Sequence, residues 1–243
     1  MMHSDTQKDA SPGRELTLLA EGRIQVLGRI MRSSNATFLV QVTYGDDMAW
    51  AVYKPEAGER PLADFEPGLY RRERAAYLLS DHLQWGIVPP TVIREDAPLG
   101  VGSLQWFIEG DVREHYFTLF AGSPETHGVL AQFALFDCIA NNTDRKSGHV
   151  LRGTDGRVWG IDHGLCFSAD FKLRTVIWDF AGDPIPGALL KDITPLAKAV
   201  PAEVAELLDD AEAAGLQHRV QRLLREGLLP VDRTGRRFPW PLV

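Results

Sequence analysis

Short apolar runs separated by polar turns make up the first part of the chain. They are rich in β-branched and aromatic residues, which is the pattern of a small antiparallel sheet. Gly45, Asp46 and Asp47 form the best candidate for a hairpin turn within this sheet. The predicted strands lie in the segments "RIQVLGRI", "ATFLVQVTYG", "MAWAVYKP", "VPPTVI" and "GSLQWFIEG".

Helical periodicity begins within residues 70–83 and dominates the chain after Ile108. In "YRRERAAYLLSDHL" the apolar positions follow helical spacing and the charges lie opposite, which predicts an amphipathic helix. Residues 1–14 are polar and lack such periodicity, so we expect a mobile tail there. Further helices are predicted in "HGVLAQFALFDCIANN", "LLKDI" and "PAEVAELLDDAEAAGLQHRVQRLLREG", and short strands in "HVLRG", "DGRVWGID" and "LCFS".

Composition and charge narrow the classes of partner. The chain has 243 residues, 44% of them hydrophobic, which is enough for one large globular domain or two lobes. Its net charge of −7 argues against nucleic acid as a partner. Cys138 and Cys166 do not have the spacing of a zinc site, so we interpret both as reduced thiols. No segment has the pattern of a secretory signal or of a membrane span, and we therefore expect a cytoplasmic protein.

The richest chemistry follows the apolar run at residues 134–140. Asp144 and His149 stand five residues apart, and Asp162 ends the apolar strand "VWGID" 18 residues after Asp144. Protein-kinase-like phosphotransferases need this arrangement: an Asp beside the incoming hydroxyl, a metal ligand five residues on, and a second Asp that bridges metal and phosphates. The alternative is an ordinary surface turn in which Asp144 pairs locally with Arg145. Asp137, on the apolar helix, is expected to brace this loop.

The first part of the chain supplies the other components of such a site in the required order. Ser33, Ser34 and Asn35 are small or amide residues at a strand turn, where backbone N–H groups could cradle phosphate oxygens. Lys54 follows the apolar run "AWAVY", and Glu73 lies 19 residues later on the predicted amphipathic helix. Each has an ordinary explanation as a solvated surface residue. Their joint order and spacing favour the functional interpretation.

Several motifs together resemble the phosphatidylinositol 3- and 4-kinase-related superfamily, and within it the type II 4-kinases and their small bacterial relatives. The resemblance spans roughly residues 30 to 170. It implies an α+β, bilobal protein-kinase-like fold with a β-rich N-lobe (residues 15–108) and a helix-rich C-lobe (residues 109–243). The motifs are "VYKPEAGE", "RERAAYLLSDHL", "VPPTVI", "GSLQWFIEGD", "FDCIANNTDRKSGHVL" and "WGIDHGLCF".

The resemblance also implies a role for each matching residue, with ATP between the lobes and Mg²⁺ or Mn²⁺ as the metal. Lys54 would contact the α-phosphate region and Glu73 would hold Lys54. Asp144 would be the catalytic aspartate, and Asp162 would bridge the metal and the phosphates. The linker that meets adenine would comprise Gln105, Phe107 and Ile108.

His149 departs from the pattern of this superfamily, which usually places an asparagine there as the second metal ligand. Neutral imidazole is a poor ligand for Mg²⁺ and a better one for Mn²⁺. The alternative is that His149 is a hydrogen-bonding loop residue and only one metal binds. His163 beside Asp162 is expected to fill the loop rather than to bind metal.

Three functions stay open at this point. The first is an ATP-dependent phosphotransferase, whose acceptor would be a hydroxyl of a protein, a small molecule or an inositol lipid. The second is a catalytically weak nucleotide-binding regulator, in which His149 marks lost chemistry. The third is a metal-dependent hydrolase built on Asp144, His149, Asp162 and His163, but it leaves Lys54 and Glu73 unexplained. The proline-rich segment "RRFPWPLV" could dock on its own chain or on a partner.

Overall fold

The computed structural model describes residues 12–31, 33 and 35–242. The helices are α1 (Pro12–Glu21), α2 (Leu69–His82), α3 (Tyr116–Gly122), α4 (His127–Ala140), α5 (Gly187–Ile193), α6 (Ala202–Ala205) and α7 (Asp210–Glu226). The strands are β1 (Arg23–Arg29), β2 (Phe38–Tyr44), β3 (Asp47–Pro55), β4 (Thr91–Arg94), β5 (Gly102–Trp106), β6 (Gly110–His115), β7 (Val150–Gly153) and β8 (Val158–Gly160).

The N-lobe is built on a five-stranded antiparallel sheet with the strand order β1-β2-β3-β5-β4. Its predicted hairpin turn is confirmed, because Tyr44 and Asp47 pair and Gly45 adopts φ of +59° between them. Side chains alternate across a sheet, so Lys54 and Val52 on β3 share the face opposite Ala51 and Tyr53. The face of Lys54 is the one turned toward the cleft.

Helix α1, which the hydrophobic pattern did not predict, covers the other face of this sheet. Its Leu18 and Leu19 are buried in a small core together with sheet residues such as Val40 and Ala51. The helix begins at Pro12, so residues 12–14 are helical and not part of the tail that the polar pattern predicts. Proline suits the first helical position because its missing N–H would have no partner there. Residues 1–11 lie outside the described part of the chain.

The C-lobe packs around α4, whose apolar positions are buried on nearly every side. Helix α7 lies against α4, and together with α2 they contribute to one large core. The single long helix predicted over residues 201–227 is instead two helices, because Asp209 caps a new one: its side chain accepts a hydrogen bond from Glu212 N at 2.7 Å. The structure therefore has the α+β, bilobal architecture that the motifs imply.

A second, three-stranded sheet with the order β6-β7-β8 carries the loops of the candidate site. Strand β6 and helix α3 were not predicted, whereas β7 and β8 match predicted segments. The predicted strand "LCFS" is wrong: residues 165–168 form no strand, and Phe167 adopts φ of +68°, which interrupts extended backbone.

The segment "RRFPWPLV" docks on its own chain, the alternative that the sequence left open. Ser147 N donates to Leu242 O at 2.9 Å. Thr175 N and Trp178 Nε1 both donate to Arg237 O, each at 3.1 Å. The segment thus supplies hydrogen-bond acceptors to the loop that follows α4. Among the described helices, none combines the length and apolar character needed to cross a bilayer.

Candidate functional site

The polar cluster after α4 is folded around a buried ion pair between Asp137 and Arg145. Both side chains have 0% exposure. The guanidinium donates to Asp137 from Nε at 3.1 Å and from Nη2 at 2.9 Å. Its Nη1 donates to Ile161 O at 2.8 Å, and its Nη2 contacts His163 Nε2 at 2.8 Å. One buried cation therefore joins α4, the loop after it and the loop that carries Asp162.

Asp137 braces this loop, as predicted. Besides Arg145, its carboxylate accepts hydrogen bonds from Asn142 Nδ2 at 3.1 Å and from Thr175 Oγ1 at 3.2 Å. Asn141 ends α4 in the left-handed conformation, with φ of +51°. Charged and amide groups can follow the buried helix α4 because they form hydrogen bonds with one another inside the lobe.

Asp144 is the carboxylate of this loop that lines the cleft between the lobes. Its backbone N–H donates to Asn142 Oδ1 at 3.0 Å, and Lys146 Nζ lies 3.2 Å from its Oδ2. Partial burial raises the pKa of Asp144, and Lys146 offsets part of that rise. A carboxylate with a raised pKa accepts a proton more readily, which suits a general base.

Lys54 lies between two carboxylates that are distant in the sequence. Its Nζ forms an ion pair with Glu73 Oε1 and contacts Asp162 Oδ1 at 2.8 Å. Glu73 is 2% exposed, and its Oε2 accepts a hydrogen bond from His163 N at 3.0 Å. Burial disfavours the ammonium ion, but Asp162 and Glu73 outweigh burial and raise the pKa of Lys54. The lysine is therefore a fixed cation on the floor of the cleft.

Asp162 is presented to the cleft by a left-handed turn. Its φ is +60°, and 48% of its side chain is exposed. Such a conformation costs a non-glycine residue about 1–3 kcal/mol and persists where neighbouring contacts hold it. Here the flanking backbone is held by Arg145 at Ile161 O and by Glu73 at His163 N. Burial opposes ionisation of Asp162, but Lys54 and His149 together hold its pKa well below the usual range.

His149 contacts Asp162 on the side opposite Lys54. Its Nε2 lies 3.3 Å from Asp162 Oδ2, and its Nδ1 accepts a hydrogen bond from Lys146 N at 3.4 Å. Burial lowers the pKa of His149 to about 4, with Asp162 offsetting part of the effect. The imidazole is therefore neutral at physiological pH. Because Nδ1 is the acceptor, Nε2 carries the proton and is directed at Asp162.

The residues predicted to cradle phosphates fall at the mouth of the same cleft. Ser33 and Asn35 line it together with Lys54, Glu73, Asp144 and Asp162, around a cavity of about 40 Å³. Ser33 Oγ lies 2.7 Å from Thr37 Oγ1, and Asn35 Oδ1 accepts a hydrogen bond from Arg60 N at 3.0 Å. Ser34 lies outside the described residues.

The predicted adenine linker is not among the residues that line this cleft. Gln105 is 5% exposed, and its Nε2 donates to Thr91 Oγ1 at 2.8 Å. Phe107 packs edge-on against Trp50, and with Ile108 these residues line a separate open depression of about 1100 Å³. The residues predicted to bind phosphate and metal thus lie together in one cleft, whereas the predicted adenine linker lies outside it.

Arg72, which reads in the sequence as a solvated charge, connects α2 to the C-lobe. It forms an ion pair with Glu212 of α7, and its Nη1 donates to Cys166 O at 2.9 Å. Both side chains of the pair are largely buried, at 12% and 10% exposure. Because Glu73 is the next residue on α2, this contact fixes the helix that orients Lys54. No local pattern distinguishes Arg72 from its neighbours Arg71 and Arg74.

The side chains of the cleft offer too few ligands to bind a metal ion by themselves. They suit a metal ion that is also bound by the phosphates of a nucleotide. Within residues 12–31, 33 and 35–242, no group of three or more His, Cys, Asp and Glu side chains is arranged to hold a metal ion. Asp162 supplies a carboxylate, with His149 in contact and Asp144 in the same cleft. Mg²⁺ in such sites binds through one or two carboxylates plus substrate phosphates. His163 is buried against Arg145, which agrees with its predicted place outside the metal site.

Comparison with solved structures identifies the fold. The crystal structure of the Golgi casein kinase with Mn/ADP bound matches 96% of this chain and 80% of that chain, with a TM-score of 0.53 at 12% identity. A second structure of the Golgi casein kinase has a TM-score of 0.48 at 15% identity, over 92% of this chain and 75% of that chain. The Helicobacter pylori proinflammatory kinase CtkA has a TM-score of 0.46 at 12% identity, over 87% of this chain and 94% of that chain. The first match shows a protein-kinase-like fold.

Sequence comparison then places the chain in a family. No protein-family model matches it. Protein Rv2133c of Mycobacterium tuberculosis is 40% identical over an alignment 264 positions long, which covers 93% of this chain and 95% of that protein. The chain therefore belongs to the same family as Rv2133c.

Proposed function

We propose that the protein is an ATP-dependent phosphotransferase, a kinase that transfers the γ-phosphate of ATP to a hydroxyl group. The observation that carries this proposal is the contact of Lys54 Nζ with both Glu73 and Asp162 in one cleft. Protein-kinase-like enzymes require this lysine–acid pair together with a metal-binding aspartate. The Mn/ADP bound to the Golgi casein kinase supports a nucleotide and a divalent ion as ligands of the same fold.

Each residue of the cleft has a role in this proposal. Lys54 would bind oxygens of the α-phosphate region, and Glu73 would hold its ammonium group in place. The turn at residues 33–35 would cradle the outer phosphates through backbone N–H groups. Asp144 would accept the proton of the incoming hydroxyl, which its raised pKa favours. Gln105, Phe107 and Ile108 are proposed to meet adenine, although the side-chain amide of Gln105 is already bonded to Thr91.

Asp162 would hold the divalent ion, Mg²⁺ or Mn²⁺, with His149 as the second ligand. When bound, such an ion neutralises charge on the phosphates. For His149 to act as a ligand through Nε2, its proton must move to Nδ1, which now accepts from Lys146 N. In the arrangement seen here, His149 instead orients the carboxylate of Asp162.

The motif order supports a kinase of the phosphatidylinositol 3-/4-kinase-like type, and a cytoplasmic location is proposed separately, as expected from the sequence. The acceptor is proposed to be a hydroxyl of a protein, a small molecule or an inositol lipid. In the superfamily that the motifs resemble, the segment after Asp162 contacts the acceptor. Lys172, a cation in that segment, lies 3.4 Å from Asp64 and is thus already paired.

A second candidate is a nucleotide-binding regulator without efficient turnover. The position of His149 favours it, because a proton on Nε2 leaves no lone pair for a metal at that atom. Turnover of γ-labelled ATP with Mg²⁺ and Mn²⁺ in parallel separates the two candidates. Mass spectrometry of labelled products from a cell extract would then identify the acceptor.

ATP together with Mg²⁺ or Mn²⁺ should raise the melting temperature of the protein. Ligand at about 100 times its dissociation constant stabilises the native state by about 2.7 kcal/mol, which corresponds to roughly 5–10 °C for a chain of this size. Differential scanning fluorimetry at millimolar ATP measures the shift. Lys54→Met should abolish most of it. The absence of any shift with either metal would remove both the kinase and the regulator proposals.

Arg72→Gln should lower kcat/KM about tenfold, because loss of the contact with Glu212 frees α2 and misplaces Glu73. Arg71→Gln is the matched control, since Arg71 is exposed on the same helix and contacts Tyr70 only weakly, at 3.5 Å. Steady-state kinetics at varied ATP would compare the two variants. Equal rates in both would show that the Arg72–Glu212 pair does not position the site.

His149→Asn should raise the ratio of Mg²⁺-supported to Mn²⁺-supported activity, because an amide oxygen replaces an imidazole nitrogen. His82→Asn, at the exposed end of α2, is the control and should leave the ratio unchanged. Parallel rate measurements with the two ions provide the readout. A ratio that does not change in His149→Asn would take the imidazole out of the metal site.

A further inference from the structure

A second cavity lies in the C-lobe, away from the cleft. It has a volume of about 210 Å³ and lies, partly open to solvent, between one face of α7 and the segment that follows the Asp162 loop. Cys138 of α4 contributes to its wall, and Gly215 lets α7 approach the backbone of Ala169 closely. None of the residues that line it lines the cleft of Lys54. The inference drawn from it therefore does not rest on the proposed function.

Arg219 in the wall of this cavity has an unused hydrogen-bond donor. The residue is 7% exposed. Its Nε donates to Ile139 O at 2.9 Å and its Nη1 to Ser168 O at 3.2 Å, so the side chain ties the end of α4 to the following segment. Its buried Nη2 has no acceptor among the described residues. This donor has essentially no accessible surface, so Arg219 acts on the cavity through its charge and not through Nη2.

The charges around the cavity leave one cation in excess. Its wall contains Arg219 and Arg222, one carboxylate, Glu226, and the exposed His218. Glu226 is already paired with Arg222, whose Nε lies 2.9 Å from Glu226 Oε1. Glu212, which is near Arg219 in the fold, is paired with Arg72. The guanidinium of Arg219 therefore has no carboxylate of its own, although the whole chain carries a net charge of −7.

The rest of the wall is mainly apolar. Ala169, Phe171, Leu223 and Pro230 line it together with the Cys138 thiol. Phe171 is held from behind by the guanidinium of Arg237, 4.7 Å from its ring centre. The position of Phe171 is also fixed by the backbone, since Asn141 Nδ2 donates to Ser168 O at 2.8 Å and to Asp170 O at 2.6 Å. The cavity is thus preformed, with a cationic end and an apolar body.

We propose that this cavity binds a small amphipathic carboxylate, with its single negative charge at Arg219 and Arg222 and its apolar part against Phe171 and Leu223. One excess cation matches a monoanion better than a phosphate ester, whose second charge would stay unpaired.

Isothermal titration calorimetry of the full chain with sodium octanoate tests this site. We expect saturable binding to one site with a dissociation constant at or below about 1 mM. 1-Octanol has the same chain without the charge and should bind at least about tenfold more weakly. Octanoate should bind Lys54→Met as tightly as wild type, because the cleft is not involved.

Substitutions on the exposed rim of α7 distinguish a built site from adventitious binding. Arg222→Gln should weaken octanoate binding about tenfold, and Glu226→Gln should strengthen it severalfold by freeing Arg222. Arg225→Gln is the matched control, because Arg225 is exposed on the same helix and does not line the cavity. Equal affinities for octanoate and octanol, or equal effects of Arg222→Gln and Arg225→Gln, would overturn the proposal.

Discussion

Asp144→Asn should leave ATP affinity within about threefold of wild type and lower the rate of phosphoryl transfer by about 10²–10⁴-fold, the usual contribution of a general base. The carboxylate lines the cleft and is paired with Lys146, not with Lys54. Its loss therefore removes a proton acceptor without disturbing the cations that bind phosphate. Asparagine has nearly the same shape, so the loop should keep its hydrogen bond from residue 144 N to Asn142.

Asp162→Asn should lower the affinity for ATP as well as the rate of phosphoryl transfer. This carboxylate contacts Lys54 at 2.8 Å and His149 at 3.3 Å and is the best placed metal ligand of the cleft. Losing one charge-assisted contact to the metal-nucleotide costs about 1.5–3 kcal/mol, so ATP affinity should fall by roughly 10- to 150-fold in addition to the loss of rate.

Two measurements separate these outcomes: fluorescence titration with an ATP analogue for affinity, and single-turnover transfer of labelled phosphate for rate. Asp170→Asn is a suitable control, since Asp170 is exposed on the segment after the Asp162 loop and its side chain forms no ion pair within the described residues. If Asp144→Asn and Asp162→Asn lose ATP affinity equally, the two roles are assigned wrongly.

Arg145→Met should lower the free energy of unfolding by about 3–5 kcal/mol, because it leaves the Asp137 carboxylate buried without its cation. This is a large fraction of the roughly 5–15 kcal/mol that stabilises most domains. Urea denaturation followed by circular dichroism measures the change. Arg225→Met, on the exposed face of α7, should stay within about 0.5 kcal/mol of wild type.

The double variant Arg145→Met/Asp137→Leu gives the interaction energy directly. Removing both charges avoids the unpaired carboxylate, so the double variant should be more stable than the sum of the single effects by about 1–3 kcal/mol. Recovery will be incomplete, since Asn142 and Thr175 also bond to Asp137. Simple additivity of the two substitutions would contradict the view that this pair organises the loop.

The sequence predicted the candidate site better than it predicted the surroundings of that site. Lys54 at a strand end and Asp162 after an apolar strand are positions that local periodicity defines. The order of these residues along the chain then resembles a known superfamily, and that resemblance places both in one predicted nucleotide site. Their direct contact across 108 residues of sequence was not predicted. Glu73 was harder to recognise as a site residue, because it stands between arginines in the sequence and its burial depends on packing between the lobes.

Features that depend on long-range contacts were missed. Helix α1 buries Leu18 and Leu19 on the sheet, and its sequence is amphipathic, but the helix is only 10 residues long and follows a polar segment, so its pattern was not recognised. The ion pair between Arg72 and Glu212 joins helices that lie far apart in the chain. Strand β6 has a largely exposed, polar sequence, so its pairing with β7 leaves no hydrophobic alternation to read.

The contact of Ser147 with Leu242 has a consequence for how the protein is made. The ribosome synthesises the loop after α4 well before it synthesises α5, α6, α7 and the segment that bonds to this loop. The nascent C-lobe can therefore pack its apolar core while Ser147 N and Thr175 N still lack the acceptors that Leu242 and Arg237 supply. The loop of the candidate site should therefore be completed only after residues 237–242 have been synthesised, and translation products interrupted after α7 should carry the core without a finished loop.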